Sequence, residues 1–404
     1  MHRNRPEPGL YLRLLLYVPN VPAANHIESK RLTASNQPVG KFCLIEFTNG
    51  VEARLLSIVM KTDIDNPFNI FRFILLRLDR RRVTIFLLAV LITMNVKAEI
   101  FAPFTTSNIS PFVQLHGLPS ARPAKLVPNK TLVWQVQTDI ANNFTENTDG
   151  VESILIDGET YRVNLSLRYG FGDSWEVGID APYIRHEPGQ LDSFIEGFHD
   201  LFGLSQANRD DRPRNQLDYS YTSGVNTMRL NKSVSGIGEV RLNLGYKLRE
   251  YENRTWSVRG GVKLPTGDPD KLTGSDGTDV YVGLYFSEGA FLGNESLSFH
   301  GSVGALAMGN GELVGSDVED LAVYGSSTLA WKLSPNFSLK AQFDFHSALY
   351  DSGVEELGSF AGQLILGGSV KLGRKVQLDL SVSEDVIVDT APDVVFSIGL
   401  RSLF

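Results

Sequence analysis

The sequence predicts an all-β fold, an antiparallel transmembrane β-barrel of about 12 strands, from three observations. Hydrophobic and polar residues alternate along segments of about 10 to 13 residues, the pattern of a strand with one apolar face. These segments number twelve, which is an even count. Short and long connections alternate between them, as expected when short turns face the periplasm and long loops face outward.

Composition supports strands and turns over helical bundles. The chain has 37 Gly and 23 Phe but only 5 Met. Its single cysteine, Cys43, precedes the processing site predicted below. We therefore expect no disulfide framework, cysteine metal cluster or cysteine nucleophile in the processed chain.

Charge is uneven along the chain. Residues 99–404 carry 24 Lys and Arg against 39 Asp and Glu, so the bulk of the protein is acidic. Binding to nucleic acid needs a basic surface that neutralises phosphates, and we expect no nucleic-acid partner.

A secretory signal is predicted at an unusual position, residues 80–98. Three arginines, Arg80 to Arg82, precede a mostly apolar run from Val83 to Met94, and Ala98 offers a small residue at the cleavage site. The run is too short for a membrane-spanning helix, which needs about 20 apolar residues. A signal anchor or a buried helix is the alternative. Residues 1–79 show no sustained period, and we interpret them as an unstructured or mis-annotated N-terminal extension.

The alternation is clearest in Tyr161 to Phe171, where odd positions are apolar and even positions are polar or glycine. Soluble sandwich strands are usually about 5 to 6 residues long, whereas a tilted strand needs about 9 to 11 to cross a bilayer. We predict a barrel over 131–404, preceded by an N-terminal periplasmic segment over 99–130. The twelve predicted strands are 131–144, 160–171, 174–185, 239–249, 255–264, 278–287, 295–306, 320–332, 336–347, 360–372, 374–385 and 393–404.

The ends of these strands favour the outer membrane of a Gram-negative bacterium. Aromatic residues such as Trp175 and Trp256 lie near strand ends, where interfacial girdles belong. The last predicted strand ends at Phe404, and a terminal aromatic residue resembles the recognition signal of bacterial outer-membrane barrels. The expected partners are therefore outer-membrane lipid, lipopolysaccharide and the barrel-assembly machinery.

The third long connection predicts a short amphipathic helix, because its apolar residues follow helical spacing. The helix either packs over the barrel mouth, or gates it, or contacts lipid. His199 and Asp200 lie towards its polar side, and without a second histidine at ligand spacing we predict no metal site there. The apolar positions of this loop helix or gate are Phe194, Ile195, Phe198 and Phe202.

Ionisable residues on the polar faces of the strands are predicted to line the lumen. The positive ones outnumber the negative ones, and a basic constriction favours anionic or polar solutes. Alternatively, the charges pair across neighbouring strands and fill a barrel that does not conduct. The candidate lumen-lining residues are Arg162, Arg168, Arg241, Lys247, Arg249, Arg259, Lys263, Glu176 and Asp180.

No residue pattern assigns a catalytic, metal or cofactor site. His300 and Ser302 share one face of a strand, as a nucleophile and its base would, but they point into the lumen and no orienting carboxylate is evident. The acidic residues from Asp268 to Asp279 lack the glycine and bidentate glutamate of a calcium loop. The sequence also contains no phosphate-binding loop.

Two segments resemble known families. FIEGFHDLFGLSQANRDD, Phe194 to Asp211, resembles the signature of domain-of-unknown-function family 3187, an uncharacterised proteobacterial outer-membrane family. VKLPTGDPDKLTGSDGTDVYVGL, Val262 to Leu284, is similar to a pattern in outer-membrane channels associated with phenol and hydrocarbon catabolism. Neither resemblance supplies a catalytic residue.

These patterns lead to one functional expectation, an outer-membrane barrel that passively passes a small solute. A non-conducting barrel that binds a ligand or partner, or that serves envelope integrity, is the alternative. An outer-membrane lipid hydrolase is a minor alternative.

Overall fold

The computed structural model describes residues 102–402, except 190, 192–212, 225, 310, 312–317, 374 and 388–389, and three strands nearer the N-terminus. The chain divides into two compact units, Met1–Val90 and Leu91–Phe404. In the first unit, β1 (Leu12–Val18), β2 (Lys41–Thr48) and β3 (Glu52–Val59) form an antiparallel sheet in that order. Sequence analysis assigned no element here, and the origin of residues 1–79 and the signal over 80–98 stay predictions.

The second unit contains fifteen described strands, of which twelve form a closed ring. Each ring strand pairs antiparallel with its neighbours, and β18 closes the ring on β4. The fifteen strands are β4 (Leu132–Thr148), β5 (Glu152–Phe171), β6 (Trp175–Glu187), β7 (Asp218–Ser223), β8 (Asn226–Leu230), β9 (Val234–Ile237), β10 (Arg241–Tyr251), β11 (Arg254–Lys263), β12 (Asp279–Gly289), β13 (Leu297–Ala307), β14 (Leu321–Ser334), β15 (Phe337–His346), β16 (Ala361–Leu372), β17 (Val376–Ile387) and β18 (Val394–Ser402).

The ring confirms the predicted all-β barrel of 12 strands, since each predicted segment overlaps one ring strand. Five short connections lie at one end of the barrel, which we call the short-turn end, and the opposite end is the long-loop end. Gly172 and Gly373 take positive φ angles of 59° and 74° in two of the short turns, a conformation that favours glycine. β4 begins and β18 ends at the short-turn end.

The outer face of the barrel is apolar and open. Outward residues such as Val163, Leu244, Val282 and Leu366 are 42% to 54% exposed, although water does not favour such a continuous apolar surface. Near the short-turn end, outward aromatic rings lie close together, with Trp256 and Phe286 4.5 Å apart between centroids. An apolar belt with an aromatic edge is the surface that a bilayer covers.

β4 and β5 are longer than predicted. The sequence analysis placed a long connection between them, but they pair beyond the ring and join through the three residues Asp149–Val151. Ile154 and Ile156 on this extension are buried, because the hairpin of β7 and β8 packs beside it. β9 pairs with the end of β6.

Helical structure in the described residues is brief. A one-turn α-helix, Glu355–Gly358, follows β15, and the structure contains no described helix long and apolar enough to cross a bilayer. The amphipathic helix predicted over residues 194–203 lies outside the described residues.

Candidate functional site

Residues 102–128, here called the lumenal segment, run inside the barrel. Residues 102–110 form an ascending arm from the short-turn end, 111–116 form the tip at the long-loop end, and 117–128 form a descending arm back to the short-turn end. Sequence analysis separated 99–130 from the barrel as a periplasmic segment and did not foresee this position. The segment has no strand alternation, so its partners cannot be read from its own residues.

The ascending arm follows β15 in a constant register, in which residues 102, 104, 106 and 108 each bond a β15 residue 238 positions later. Lys340 Nζ donates to the Ala102 carbonyl at 3.0 Å. The Phe104 N–H donates to Gln342 Oε1 at 2.9 Å, and the Gln342 amide donates back to the Phe104 carbonyl. Two further bonds complete the row, Thr106 with Asp344 and Asn108 with His346.

The tip is held by apolar packing. Its one-turn 3-10 helix, Val113–Leu115, is buried together with Phe112. These residues belong to a hydrophobic cluster at the long-loop end that includes Tyr219, Leu272 and Tyr324. Tyr350 OH also donates to the Phe112 carbonyl at 2.9 Å. The cluster therefore ties the tip to the long loops.

The descending arm is tied to the wall by backbone bonds and ion pairs. The Gly117 N–H donates to Asp279 Oδ2 at 2.7 Å near the long-loop end. The Ala124 N–H donates to Ser287 Oγ at 2.8 Å, and the Val127 N–H donates to Glu176 Oε2 at 2.8 Å near the short-turn end. Each of these acceptors is a buried polar side chain of the barrel wall.

Asp180 is the centre of the largest ion-pair network. Arg168 donates to both carboxylate oxygens of Asp180 at 2.9 Å. Arg122 of the descending arm donates to Oδ1 at 3.2 Å, and Asn243 donates to Oδ2 at 3.0 Å. One wall carboxylate thus holds a guanidinium from the wall and another from the lumenal segment.

The other predicted lumen residues on this wall are paired as well. Arg162 donates to Asp139 through Nε and Nη2 at 3.1 and 2.8 Å. Arg259 pairs with Glu176 and donates to the Pro123 carbonyl at 3.0 Å. These carboxylates compensate much of the positive charge that the sequence analysis predicted in the lumen.

Lys263 lies beneath the tip. It pairs with Glu239 and with Asp279, the latter at 3.2 Å, and donates to the Leu115 carbonyl at 2.8 Å. The His116 ring stacks edge-on against Tyr350, with centroids 5.1 Å apart. Burial lowers the pKa of His116, which lies outside the strands, to about 4, so its imidazole is neutral at neutral pH.

Lys247 and Arg249 do not join the buried ion pairs of the lumen. A β-bulge shifts the register of β10 between them, which breaks the alternation that predicted an inward Arg249. Arg249 is exposed, and Lys247 pairs with Glu250 at 2.9 Å on the rim of the short-turn end. The loop residues Phe194, Ile195, Phe198, His199, Asp200 and Phe202, and the terminal Phe404, lie outside the described residues.

His300 and Ser302 each bond to a different neighbouring strand. His300 Nδ1 lies 2.8 Å from Ser287 Oγ, and Ser302 Oγ lies 3.0 Å from Ser326 Oγ. Within the described residues, no group of three or more His, Cys, Asp or Glu side chains could hold a metal ion.

Sequence reasoning missed three residues that shape the lumen. It did not assign Arg122 to the barrel, and it weighed Asp279 only as one of the acidic residues of a possible calcium loop, although Asp279 begins β12. Glu239 precedes β10 and was not counted among the lumen charges. Parity along the strand was the available signal, because Asp279 lies two positions before Tyr281 and Glu239 lies two positions before Arg241.

The closed ring, the apolar outer face and the occupied polar lumen define a membrane-spanning β-barrel that is filled by its own N-terminal segment. The chain belongs to the family described as Protein of unknown function (DUF3187), whose sequence profile matches residues 81–404. Searched against functionally curated proteins, the sequence has no match.

Three solved structures illustrate what the chain is similar to. The COG4313 outer membrane channel from Pseudomonas putida F1 is 13% identical, with 70% of this chain and 98% of that chain covered and a TM-score of 0.48. The NanC porin is 10% identical, with coverage of 67% and 99% and a TM-score of 0.39. The Ralstonia pickettii toluene transporter TbuX is 12% identical, with coverage of 77% and 100% and a TM-score of 0.37. These likenesses are too distant to carry an inference about a solute.

Proposed function

We propose that this protein is an outer-membrane barrel of a Gram-negative bacterium that passes a small solute when the lumenal segment moves aside. One observation carries the proposal. Small barrels are usually filled by side chains of their own wall. Here a separate length of chain also fills the lumen. A separate segment is able to leave without unfolding the wall.

The contacts of the two arms support movement. They are hydrogen bonds and ion pairs to polar wall residues, such as Gln342 for the ascending arm and Asp180 for the descending arm. Water is able to replace a neutral bond at a net cost of about 0.5 to 1.5 kcal/mol and a bond to a charged group at about 1.5 to 3 kcal/mol, so they hold the segment less firmly than their number suggests.

With the segment seated, the remaining gaps along the arms are only about 10 to 80 Å³, space for one or a few waters. A solute larger than water therefore has no open route past the seated segment. The ascending arm starts at the short-turn end and the descending arm returns to it, so the segment would withdraw towards that side.

A reversible cross-link between the first residue of the descending arm and the wall tests the proposal. A Cβ atom built on Gly117 lies 3.1 Å from Asp279 Cβ, a few tenths of an ångström inside the usual separation in a disulfide. The variant carries Gly117→Cys and Asp279→Cys in the chain from Glu99, which has no other cysteine. We expect discrete single-channel steps in planar bilayers under reducing conditions and their loss after oxidation.

The two single cysteine variants are the matched controls, and their conductance should not respond to the redox change. Silence of the unmodified chain and of the reduced variant alike would contradict passage of a solute. Steps that persist in the oxidised variant would contradict a role of the segment as the gate.

A non-conducting barrel is the second candidate, and the hydrophobic cluster at the long-loop end favours it. Phe112 and Leu115 of the tip are fully buried there beneath residues of the long loops. Such a core closes the outer mouth, as a ligand-binding or structural barrel would need. The unmodified chain and the reduced cysteine variant separate the two candidates, because a barrel with a closed outer mouth would stay silent in both.

A further inference from the structure

A small cavity lies between the two arms, just below the tip of the lumenal segment. Its volume is about 20 Å³, room for one particle of the size of a water molecule. Both the segment and the barrel wall contribute to its lining, including Gln114, His116, Asn164, Arg162, Arg241 and Lys263.

Several polar atoms of the lining have no hydrogen-bond partner among the described residues. His116 is 5% exposed, and neither of its ring nitrogens has a hydrogen bond, although Asp279 Oδ2 lies 3.9 Å from Nδ1. The Gln114 side chain leaves both its nitrogen and its oxygen unpartnered, and Asn164 leaves its oxygen. Buried polar atoms are bonded in the great majority of cases, so this cavity is built for an occupant that forms hydrogen bonds.

The charge of the lining indicates the sign of that occupant. Arg162 is bonded to Asp139, as described above. Lys263 pairs with Glu239, whose Oε1 also accepts from the Ser275 N–H at 2.7 Å. These charges are therefore compensated within the wall.

Arg241 differs from these cations. Its guanidinium donates to the Leu118 carbonyl, but no carboxylate of the described residues lies within 4.0 Å of it. Asp180, its register partner on β6, is engaged by Arg122 and Arg168. Asp180 thus acts on Arg241 only from beyond contact distance. A cation away from bulk water without a carboxylate in contact is unfavourable, and an anion in the cavity would reduce that cost.

We propose that the cavity binds a single small monovalent anion, a halide ion. The Arg241 guanidinium supplies the counter-charge. The Gln114 amide and one N–H of the neutral His116 ring supply further hydrogen bonds. Since Gln114 and His116 belong to the lumenal segment and Arg241 to the wall, the anion stabilises the seated segment.

Two further small gaps follow the descending arm from the cavity towards the short-turn end. A second gap also touches Ser120, and a third, at the short-turn end, adjoins the second at Arg122, Arg168 and Arg259. Each gap has at least three cationic side chains but one carboxylate, which favours entry of an anion from this side.

Thermal unfolding in bromide tests the site on the protein purified from bacterial membranes in detergent. Sodium bromide replaces sodium gluconate at fixed ionic strength, because gluconate is too large for the cavity. We expect the unfolding midpoint to rise with bromide and to saturate. In Arg241→Gln and in Gln114→Ala, the apparent affinity for bromide should fall about tenfold or more.

Arg249→Gln is the matched control, since it removes an exposed arginine from the same strand and should keep the response of the unmodified protein. Gln114→Ala guards against misfolding of Arg241→Gln, because the Gln114 side chain forms no hydrogen bond that the fold needs. The proposed anion site would be wrong if the unfolding midpoint did not change with bromide, or if it changed equally in all variants. The outcome does not depend on conductance, so a silent barrel leaves this test intact.

Discussion

Asp180 is a residue of the barrel wall that binds the lumenal segment directly. Its two oxygens accept bonds from Arg168 of the wall and Arg122 of the descending arm. A buried carboxylate that is shared in this way cannot be removed without leaving two buried cations.

Asp180→Asn should therefore lower the free energy of unfolding by about 3 to 5 kcal/mol, the usual cost of breaking a buried ion pair. We also expect more frequent openings in single-channel records, because Arg122 loses its partner. Urea denaturation of the lipid-reconstituted barrel measures the stability.

The matched control is Asp218→Asn, which breaks an exposed pair with Arg229 that has similar two-bond geometry. That change should cost much less than Asp180→Asn, because solvent screens an exposed ion pair. If both variants lost the same free energy of unfolding, burial of Asp180 and its sharing between two arginines would add nothing to stability.

At the scale of elements, the descending arm meets β5 where only a glycine fits. A Cβ atom at Gly170 would lie 2.1 Å from the Val127 carbonyl oxygen and 2.3 Å from that of Pro128. The Lys130 N–H also donates to the Gly170 carbonyl at 2.8 Å. The end of the arm is therefore seated by a backbone contact as well as by charge.

Gly170→Ala should push this end of the arm away from β5 and lower the free energy of unfolding by about 1 to 3 kcal/mol, as over-packing generally does. Hydrogen exchange of residues 117–128 should become faster, while exchange of β12 and β13 stays slow. Hydrogen exchange of the folded barrel, followed by mass spectrometry, measures the exchange rates of both regions.

Gly289→Ala serves as the control, since the nearest atom to its Cβ, in Asn253, would be 3.8 Å away in ordinary contact. Its exchange pattern should match that of the unmodified protein. If Gly170→Ala left exchange of the descending arm unchanged, the arm would not be seated by this contact.

At the scale of the whole molecule, the two ends of the barrel define an orientation. Both ends of the ring sequence and all five short turns lie at the short-turn end, which we predict to face the periplasm. The long-loop end, with the β4–β5 extension and the hydrophobic cluster, is then predicted to face outward.

Cysteine labelling on intact cells tests this orientation and the outer-membrane location together. Val151, in the β4–β5 turn, is 75% exposed, and Leu292, in the β12–β13 turn, is 82% exposed. A membrane-impermeant maleimide should label Val151→Cys in intact cells, whereas Leu292→Cys should react only after the outer membrane is opened. Reaction of Leu292→Cys in intact cells would reverse the orientation, and reaction of neither variant would contradict surface exposure of the long loops.

The sequence predicted the barrel well because its signal is local. Alternation along Tyr161 to Phe171 reports which face meets lipid, and no knowledge of the partner strand is needed. The same rule placed Arg162, Arg168 and Arg259 inward, where they are buried. It failed at Arg249, since a β-bulge changes the alternation and leaves no mark in the sequence.

What the sequence determined by itself is therefore the class of fold, the number of strands in the ring and the face of most residues on them, because each follows from a period of two along the chain. What only the tertiary structure decided is what fills the barrel. The ascending arm bonds to β15 at a sequence separation of 238 residues, and Arg122 bonds to Asp180 at a separation of 58 residues. Such contacts depend on three-dimensional proximity in the closed ring, and no local pattern in residues 102–128 encodes their partners.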